Sequence, residues 1–411
     1  MTSTVTFVRE NFRFLLPGIL LSFLSSFGQT FFIALFAGEI RTEFGLSHGD
    51  WSGIYLIGTT ASAVIMVWAG VLTDHFRVRI LGAVILVGLA TACFAMANLS
   101  AVWMLPFVIL ALRFTGQGML SHIAAVAMAR WFVATRGRAL AISALGFAIG
   151  QALLPLGVVA VKDIVDWHRL WVGGAVVSLL GIPILWALLA QERTPRAAAK
   201  ANESFGMNNR HWHRKDALGN GLFWFIMPAL LGPPAFNTAF FFHQVHFAEI
   251  KGWTHFDLVA LYPMFTVVST AAMLISGWLL DRLGTARLLP YYQLPMVVSF
   301  LAFAGIQSLW GGAIGLIAMA LASGANATLI TAFWAEFYGT KNIGGIKALA
   351  AAVMVFGSAV GPAIIGYLID FGVGIELQFV GIALYFLGAC GLVWVAMARY
   401  APTLPKRAPK T

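Results

Sequence analysis

The amino-acid sequence predicts an all-α membrane protein built from about twelve spanning helices. Of its 411 residues, 60% are hydrophobic and only 10% are charged, and the mean hydropathy is +0.85. A water-soluble domain of this size does not need so apolar a composition. Backbone in lipid must satisfy its own hydrogen bonds, and a helix needs roughly 20 apolar residues to cross a bilayer. Repeated long apolar stretches therefore indicate helices.

Apolar segments recur along the whole chain. They cover residues 13–38, 52–72, 80–98, 102–128, 138–160, 169–190, 218–247, 257–280, 288–307, 312–335, 347–369 and 375–398. The first follows Arg9 and Arg13, lacks a small-residue cleavage site and is longer than the apolar region of a signal peptide, so we expect a retained span. Cys93 and Cys390 fall inside apolar segments, where we expect neither a disulfide framework nor a metal cluster.

The net charge of +10 could suggest a nucleic-acid partner, but the basic residues fall mainly on one side of the predicted helices. With the N-terminus inside, 21 of the 26 lysines and arginines would lie in the cytoplasm. The exceptions are Arg41, Lys162, Arg169 and Lys251 on the outside and Arg113 within a span. The positive-inside rule predicts that both termini are cytoplasmic. We expect a multi-pass protein of the cytoplasmic (inner) membrane that contacts lipids and binds no nucleic acid.

A polar stretch from Gln191 to Asp216, rich in charged and small residues, is typical of a cytoplasmic linker. It predicts an N-terminal six-helix bundle (1–190), a linker (191–217), a C-terminal six-helix bundle (218–398) and a cytoplasmic tail (399–411).

The two halves match each other when one is shifted by 207 residues. The matched pairs are Tyr55 with Tyr262, Gly70 with Gly277, Asp74 with Asp281, Gly137 with Gly344, Gly150 with Gly357, and Pro155 with Pro362. Glycine matches arise easily by chance, whereas paired Asp, Pro and Tyr in one ungapped register do not. Transporter folds are commonly built from such repeats, so we predict a duplicated unit of six helices.

Two predicted cytoplasmic loops carry related motifs. One runs Gly70-Val-Leu-Thr-Asp74-His-Phe-Arg77-Val-Arg79, and the other runs Gly277-Trp-Leu-Leu-Asp281-Arg282-Leu-Gly284-Thr-Ala-Arg287. Both resemble the loop signature of the major facilitator superfamily, Gly-x-x-x-Asp-Arg-x-Gly followed by basic residues, although the first copy has His75 and Arg77 at two of its positions. The resemblance implies a gating role for Gly70, Asp74, Arg79, Gly277, Asp281, Arg282, Gly284 and Arg287. The alternative is an ordinary charged turn.

The fourth segment contains Arg113-Phe-Thr-Gly116-Gln117-Gly118, which is similar to the second signature of that superfamily. The run from Arg130 to Gly150 resembles the monocarboxylate and oxalate-formate carriers. The resemblance covers the whole chain. It implies the major facilitator fold with twelve helices in two pseudo-repeats, and alternating-access transport of a small molecule by a monomer without cofactor, metal or enzymatic activity.

Small residues recur on the fifth and eleventh segments, at Gly146, Gly150 and Pro155 and at Gly357, Gly361, Pro362 and Gly366. Such spacing permits close helix packing and bending. These helices could be flexible elements between the halves, or their glycines could reflect the general frequency of this residue in membrane helices.

In the superfamily, the first, fourth, seventh and tenth helices line a central cavity. The resemblance therefore implies a substrate site made by polar residues on these segments: Gln29, Arg113, Gln117, Asn237, Gln244 and Asn326. We expect Arg113 and Gln117 to share one helix face, and Asn237 and Gln244 to share another. Each amide could instead make a hydrogen bond between helices.

Arg113 lies far from both ends of its segment, where a cation costs about 2.5 to 3.5 kcal/mol. The sequence places no Asp or Glu near the middle of any segment. An anionic substrate could compensate the charge; the alternative is a structural arginine bonded to helix carbonyls. Three histidines, His122, His243 and His246, are candidates for proton coupling because histidine titrates near neutrality, although packing or surface roles are also open.

The expected function is secondary transport of a small organic anion such as a monocarboxylate, by symport with a proton or by exchange with a counter-substrate. A second interpretation is efflux of amphipathic compounds. It would depend on aromatic residues: Phe31, Phe32, Phe240, Phe241, Phe242 and Trp334. A third, of a different class, is a membrane sensor that keeps the carrier fold without transporting.

Overall fold

The computed structural model describes residues 4–70, 72–132, 135–190, 205–339 and 343–404, and within these ranges all regular secondary structure is helical. The main helices are α1 (Thr4–Leu24), α2 (His48–Ala69), α3 (Val78–Ala97), α4 (Val102–Trp131), α5 (Arg136–Val161), α6 (Trp167–Leu188), α7 (Gly221–Phe242), α8 (Tyr262–Leu283), α9 (Leu294–Gly305), α10 (Leu309–Tyr338), α11 (Ile343–Asp370) and α12 (Ile375–Tyr400). Shorter helices connect them. The predicted all-α class is confirmed.

Eleven helices of the described part are long and apolar enough to cross a membrane. The ninth predicted segment, 288–307, contains the shorter apolar helix α9. The chain forms turns from Leu289 to Gln293 before that helix begins, and Pro295 stands in its first turn, where a missing N–H is tolerated.

The same N-terminal cap occurs in both halves. Ser47 Oγ accepts from Asp50 N at 3.0 Å, and Asp50 Oδ2 accepts from Ser47 N at 3.1 Å. At the positions shifted by 207, Thr254 and Asp257 make the reciprocal pair at 3.1 and 2.9 Å. Each pair satisfies two amide donors that a helix start leaves without partners. The duplication therefore extends to local capping geometry.

The chain divides into two compact units. Unit 1 comprises Met1–Lys200 and Phe241–His246, and unit 2 comprises Ala201–Phe240 and Phe247–Thr411. Within unit 1, α1 packs on α5, α2 on α4, and α3 on α6. Within unit 2, α7 contacts α11, α8 packs on α10, and α9 on α12. Each unit thus repeats the same helix pairing, six helices apart.

Glycines set the closest helix contacts in both units. A Cβ atom on Gly146 of α5 would lie 2.0 Å from the Ile19 carbonyl oxygen of α1. A Cβ atom on Gly361 of α11 would lie 2.2 Å from the Ala235 carbonyl oxygen of α7. The small residues of the fifth and eleventh segments therefore let backbones touch within each unit, as packing in membranes favours.

Part of the predicted linker packs on unit 2. The backbone N–H of Trp212 donates to the Tyr338 carbonyl at 3.3 Å, and the side chains of Met207 and Trp212 are buried. A short helix, Arg214–Leu218, leads towards α7. The first part of the linker, 191–204, lies outside the described residues.

Gly146→Ala should destabilise the protein by about 1 to 3 kcal/mol, because its methyl group would overlap the backbone of α1. The matched control on the same helix is Gly157→Ala, whose added Cβ would meet no atom within 4 Å. Melting temperatures in detergent measure both. Equal stability of the two variants would contradict the close backbone contact between α1 and α5.

Candidate substrate site

The first predicted span is interrupted where its polar residues lie. After α1 ends at Leu24, the chain forms a 3₁₀ turn from Ser25 to Gly28, and Gln29 is extended at φ −85°, ψ 152°. A short helix, Thr30–Ile33, then begins. All residues from Ser25 to Ile33 are buried. Such a break releases backbone carbonyls from helical hydrogen bonds, and they must find other donors when the segment lies at membrane depth.

The middle of α4 is a π-helix from Arg113 to Leu120 and lies against this break. A Cβ atom on Gly28 would lie 2.1 Å from the Leu112 carbonyl oxygen, and one on Gly116 would lie 2.6 Å from the Gly28 Cα. The two backbones therefore touch at a glycine pair. This contact brings Arg113 to the interrupted segment.

Arg113 is 2% exposed and bonds to uncharged groups. Its Nη1 donates to the Gly28 carbonyl at 3.3 Å and to Thr30 Oγ1 at 3.1 Å. Thr30 in turn shares a hydrogen bond with the Tyr55 hydroxyl, and the guanidinium carbon lies 5.4 Å from the centre of the Tyr55 ring. Among the described residues, no carboxylate pairs with Arg113, and its buried Nε has no hydrogen-bond partner. A carbonyl, a hydroxyl and an aromatic face thus compensate the cation in part.

Other predicted site residues of unit 1 lie on or near the same break. The backbone carbonyl of Gln29 accepts from Phe32 N and Ile33 N, each at 3.1 Å, and so starts the short helix. Gln244 is fully buried and donates from Nε2 to the Phe31 carbonyl at 3.2 Å. Gln117 lies half-buried in the π-helix. Arg113 and Gln244 therefore both donate to backbone carbonyls of the interrupted segment.

The remaining amides belong to unit 2. Asn237 Nδ2 donates to Ser323 Oγ of α10 at 3.1 Å, which is the interhelical use expected as the alternative for each amide. Its Oδ1 is buried without a partner among the described residues. Asn326 is half-buried on α10. Contrary to our expectation, Asn237 and Gln244 do not share a face of one helix, because α7 ends at Phe242 and a separate helix begins at Gln244.

The first loop motif is tied to the end of α4. Thr73 Oγ1 donates to the Gly70 carbonyl at 2.8 Å, and the Thr73 carbonyl accepts a hydrogen bond from Arg130 Nη1. A Cβ atom on Gly70 would lie 3.5 Å from His122 Nε2. The sequence had not singled out Arg130 as a gating residue, although it is the first residue of the run that resembles the carriers. Arg130 lies beside the loop because the end of α4 packs there in the folded chain.

The second loop motif follows a similar plan. A Cβ atom on Gly277 would lie 3.8 Å from Thr328 of α10, and Gly284 ends α8 at φ 80°. Arginines stack on tryptophans in both copies: Arg79 lies 5.3 Å from the Trp186 ring centre and Arg282 lies 3.9 Å from that of Trp278. Arg287 is exposed. The side chains of Asp74 and Asp281 lie outside the described part of the structure.

Two of the three candidate histidines lie together in unit 1. The ring centres of His246 and His48 are 4.2 Å apart, and those of His243 and His48 are 6.1 Å apart. Burial, with a smaller effect from Arg41, holds the pKa of His246 below its ordinary value. His122 lies elsewhere, beside Gly70. His48 was missed from the sequence, because nothing local connects it with the segment that carries His246.

Interrupted helices, small residues at helix crossings and internal repeats are common features of membrane transporters. The model of the Major Facilitator Superfamily matches residues 18–311, which is more than half of the chain. The chain belongs to this superfamily and is a secondary transporter, not an enzyme.

Solved structures show the same fold. A bacterial homologue of the human lysosomal transporter Spinster, in an inward-facing and unoccupied conformation, is similar with a TM-score of 0.71 and 14% identity over 96% of this chain and 98% of that one. The same homologue in its occupied conformation is similar with a TM-score of 0.72 and 13% identity, again over 96% of this chain and 98% of that one. The nucleoside transporter NupG is similar with a TM-score of 0.69 and 16% identity, over 94% of this chain and 99% of that one. Comparison with curated protein sequences gave no match. At these identities the likeness concerns the fold alone.

The lowered pKa of His246 predicts a pH-dependent stability. Above its ordinary pKa of about 6.5, the histidine is neutral in both the folded and the unfolded chain. As the pH falls below that value, the unfolded chain takes up a proton before the folded one does, so the free energy of unfolding decreases. The melting temperature of the wild type should therefore fall more steeply between about pH 6.5 and 5.5 than that of His246→Gln.

The control for this measurement is Ser100→Ala, which changes an exposed residue without a titratable group and should follow the wild-type pH profile. A His246→Gln profile parallel to the wild type throughout would contradict the assignment.

Proposed function

We propose that this transporter moves a small organic anion, with monocarboxylates as the first class to test, by alternating access across the cytoplasmic membrane with both termini inside. Transport is coupled to a proton or to a counter-substrate. The observation that supports this proposal is Arg113, a buried guanidinium beside an interrupted helix, with an unpartnered Nε and no carboxylate partner among the described residues.

The hydrogen bonds that Arg113 makes to described residues use only one of its three nitrogens. A guanidinium carries five N–H groups in a planar fork, and the two hydrogen bonds made to described residues both come from Nη1. A buried donor without an acceptor costs about 1 to 3 kcal/mol. A carboxylate can accept from Nε and from the second terminal nitrogen of a guanidinium at once, which is the strong bidentate geometry. The edge of Arg113 that faces away from Gly28 and Thr30 is therefore suited to a carboxylate.

Charge favours the same class of substrate. A lone arginine within a span costs about 2.5 to 3.5 kcal/mol even on the lenient insertion scale. The Gly28 carbonyl, the Thr30 hydroxyl and the Tyr55 ring supply partial charges only. An anion in this place would neutralise the guanidinium, whereas a cationic substrate would be repelled.

The rival role for Arg113 is structural. By donating to the Gly28 carbonyl, it ties α4 to the interrupted segment, and its removal would leave that carbonyl without this donor. A structural arginine predicts loss of folding with normal transport per folded molecule. A substrate-binding arginine predicts loss of transport by a protein that folds.

The efflux alternative has less support. All six aromatic residues on which it depends are buried: Phe31, Phe32, Phe240, Phe241, Phe242 and Trp334. Phe240 stacks on Phe303 at 4.4 Å and contacts Phe247 at 5.5 Å between ring centres. These rings form packing contacts within a unit.

Arg113→Lys should weaken carboxylate binding by about 1.5 to 3 kcal/mol, because it keeps the charge and loses the planar fork. Arg113→Gln should abolish uptake of monocarboxylates into proteoliposomes. The measurements are uptake per folded molecule, and the increase in melting temperature caused by saturating carboxylate.

A matched control is Tyr55→Phe, which removes the hydroxyl bond to Thr30 and keeps the ring over Arg113. It should lower stability by about 1 kcal/mol and leave carboxylate binding largely intact. Near-normal uptake by folded Arg113→Gln would end the anion-site proposal.

Asp74→Asn and Asp281→Asn should each slow transport and leave substrate affinity within a few-fold. A carboxylate at a helix end can pair with a cation or with a neighbouring helix N-terminus differently in two conformations, so its loss changes the conformational equilibrium. Uptake rates and binding isotherms separate the two effects. A large loss of binding with an unchanged maximal rate would instead place these residues in substrate recognition.

A further inference from the structure

Unit 1 carries a groove whose lining residues are all apolar. It has a volume of about 330 Å³ and is formed by α1, α5 and α6. The residues that line it include Leu16, Leu20 and Phe23 of α1, Ile149 of α5, and Ile184 and Leu188 of α6. Ile149 and Ile184 are exposed, at 45% and 49%. The groove therefore opens to the surroundings of unit 1.

The groove follows from how the helices pack. The contact between Gly146 and Ile19 holds α5 against α1, while α6 packs mainly on α3 and also on α1. Helix α1 thus lies between α5 and α6 and forms the floor of the groove.

An apolar groove on a membrane helix requires an apolar occupant. Water is not retained where no polar group can bond to it, and an empty space deprives the lining atoms of dispersion contacts. Helices α1, α5 and α6 all belong to predicted spans, so the groove borders the hydrocarbon region. Acyl chains are the apolar molecules available there.

One end of the groove is basic. Arg13 Nε donates at 3.2 Å to the carbonyl of Leu188, which lines the groove. Arg13 is exposed, and among the described residues no acceptor bonds to its terminal nitrogens. On the opposite face of α6, Trp186 is 47% exposed, and the Arg79 guanidinium carbon lies 5.3 Å from its ring centre. An exposed tryptophan next to arginines is typical of the headgroup level of a membrane.

We propose that this groove, the lipid groove, binds an acyl chain of an anionic phospholipid whose phosphate is held by Arg13. The arginine fork matches phosphate oxygens in bidentate geometry, and basic residues at the membrane surface attract anionic lipids. The lipid groove is separate from the Arg113 site, and this proposal does not depend on the identity of the transported substrate.

The test is native mass spectrometry of the purified full-length protein titrated with phosphatidylglycerol or phosphatidylcholine. The wild type should retain phosphatidylglycerol several-fold more strongly. Arg13→Gln should reduce that retention about fivefold. Arg399→Gln, which removes an exposed arginine at the end of α12, is the charge-matched control and should bind as the wild type does.

The acyl chain is tested separately. Ile184→Trp fills the lipid groove and should lower retention of both lipids, whereas Leu179→Trp changes an exposed residue of α6 outside the groove and should not. If Ile184→Trp does not fold, Leu16→Phe is used in its place.

The headgroup assignment would be overturned if the wild type bound phosphatidylglycerol and phosphatidylcholine equally, or if Arg13→Gln retained phosphatidylglycerol as strongly as the wild type does. Unchanged retention in folded Ile184→Trp and Leu16→Phe would overturn the groove. A disulfide between cysteines placed at Ile184 and Ala198, or lipid-free dimers, would show that the chain itself or a second copy occupies the groove, and either result would also overturn the proposal.

Discussion

The interruption of the first membrane helix between Leu24 and Thr30 is the constraint on which the rest of unit 1 depends. A carbonyl released from its helix at membrane depth costs several kcal/mol unless a donor reaches it. Arg113 supplies a donor to Gly28, and Gln244 supplies one to Phe31. The same broken segment therefore fixes the charged residue of α4 and contacts the short stretch Phe241–His246, which belongs to unit 1 although α7 is otherwise part of unit 2.

This arrangement requires backbones that touch. Any side chain at Gly28 or Gly116 would separate α1 from α4, since an added Cβ would lie well inside contact distance of the opposite backbone. Separation would withdraw Arg113 from the Gly28 carbonyl. The π-helix that begins at Arg113 stands at this crossing, and such segments occur frequently at functional sites. The close packing of these two helices therefore also determines where Arg113 lies.

Composition and periodicity were enough to predict the helical class, the duplication and the loop motifs, because these depend on local sequence. The repeated capping boxes at Ser47 and Thr254 were not predicted, although a Ser or Thr three residues before an Asp is a local signal for them. The break after Leu24 was not predicted either, since the run Ser25-Ser26-Phe27-Gly28 contains no proline. The partners of Arg113 and the approach of His48 to His246 depend on contacts between distant segments. No local signal records such contacts.

Of the two repeated units, unit 1 has both the break and the arginine, and unit 2 has neither at the equivalent positions. At a shift of 207, Gly28 corresponds to Ala235, Thr30 to Asn237, Arg113 to Ala320 and Gly116 to Ser323. In unit 2, α7 runs without interruption through Ala235, and buried Ala320 stands where unit 1 has its guanidinium.

The bond between Asn237 and Ser323 joins α7 to α10 at the positions equivalent to Thr30 and Gly116. Pro233 leaves the Ala229 carbonyl of α7 without its helical donor, and neutral side chains serve it instead, since Gln293 Nε2 and the Tyr292 hydroxyl donate to it. From a common ancestor, one unit thus holds a charged and interrupted crossing and the other an uncharged and continuous one. The freed carbonyl of Gly28 in unit 1 thus accepts from a cation, whereas the freed carbonyl of Ala229 in unit 2 accepts from neutral groups.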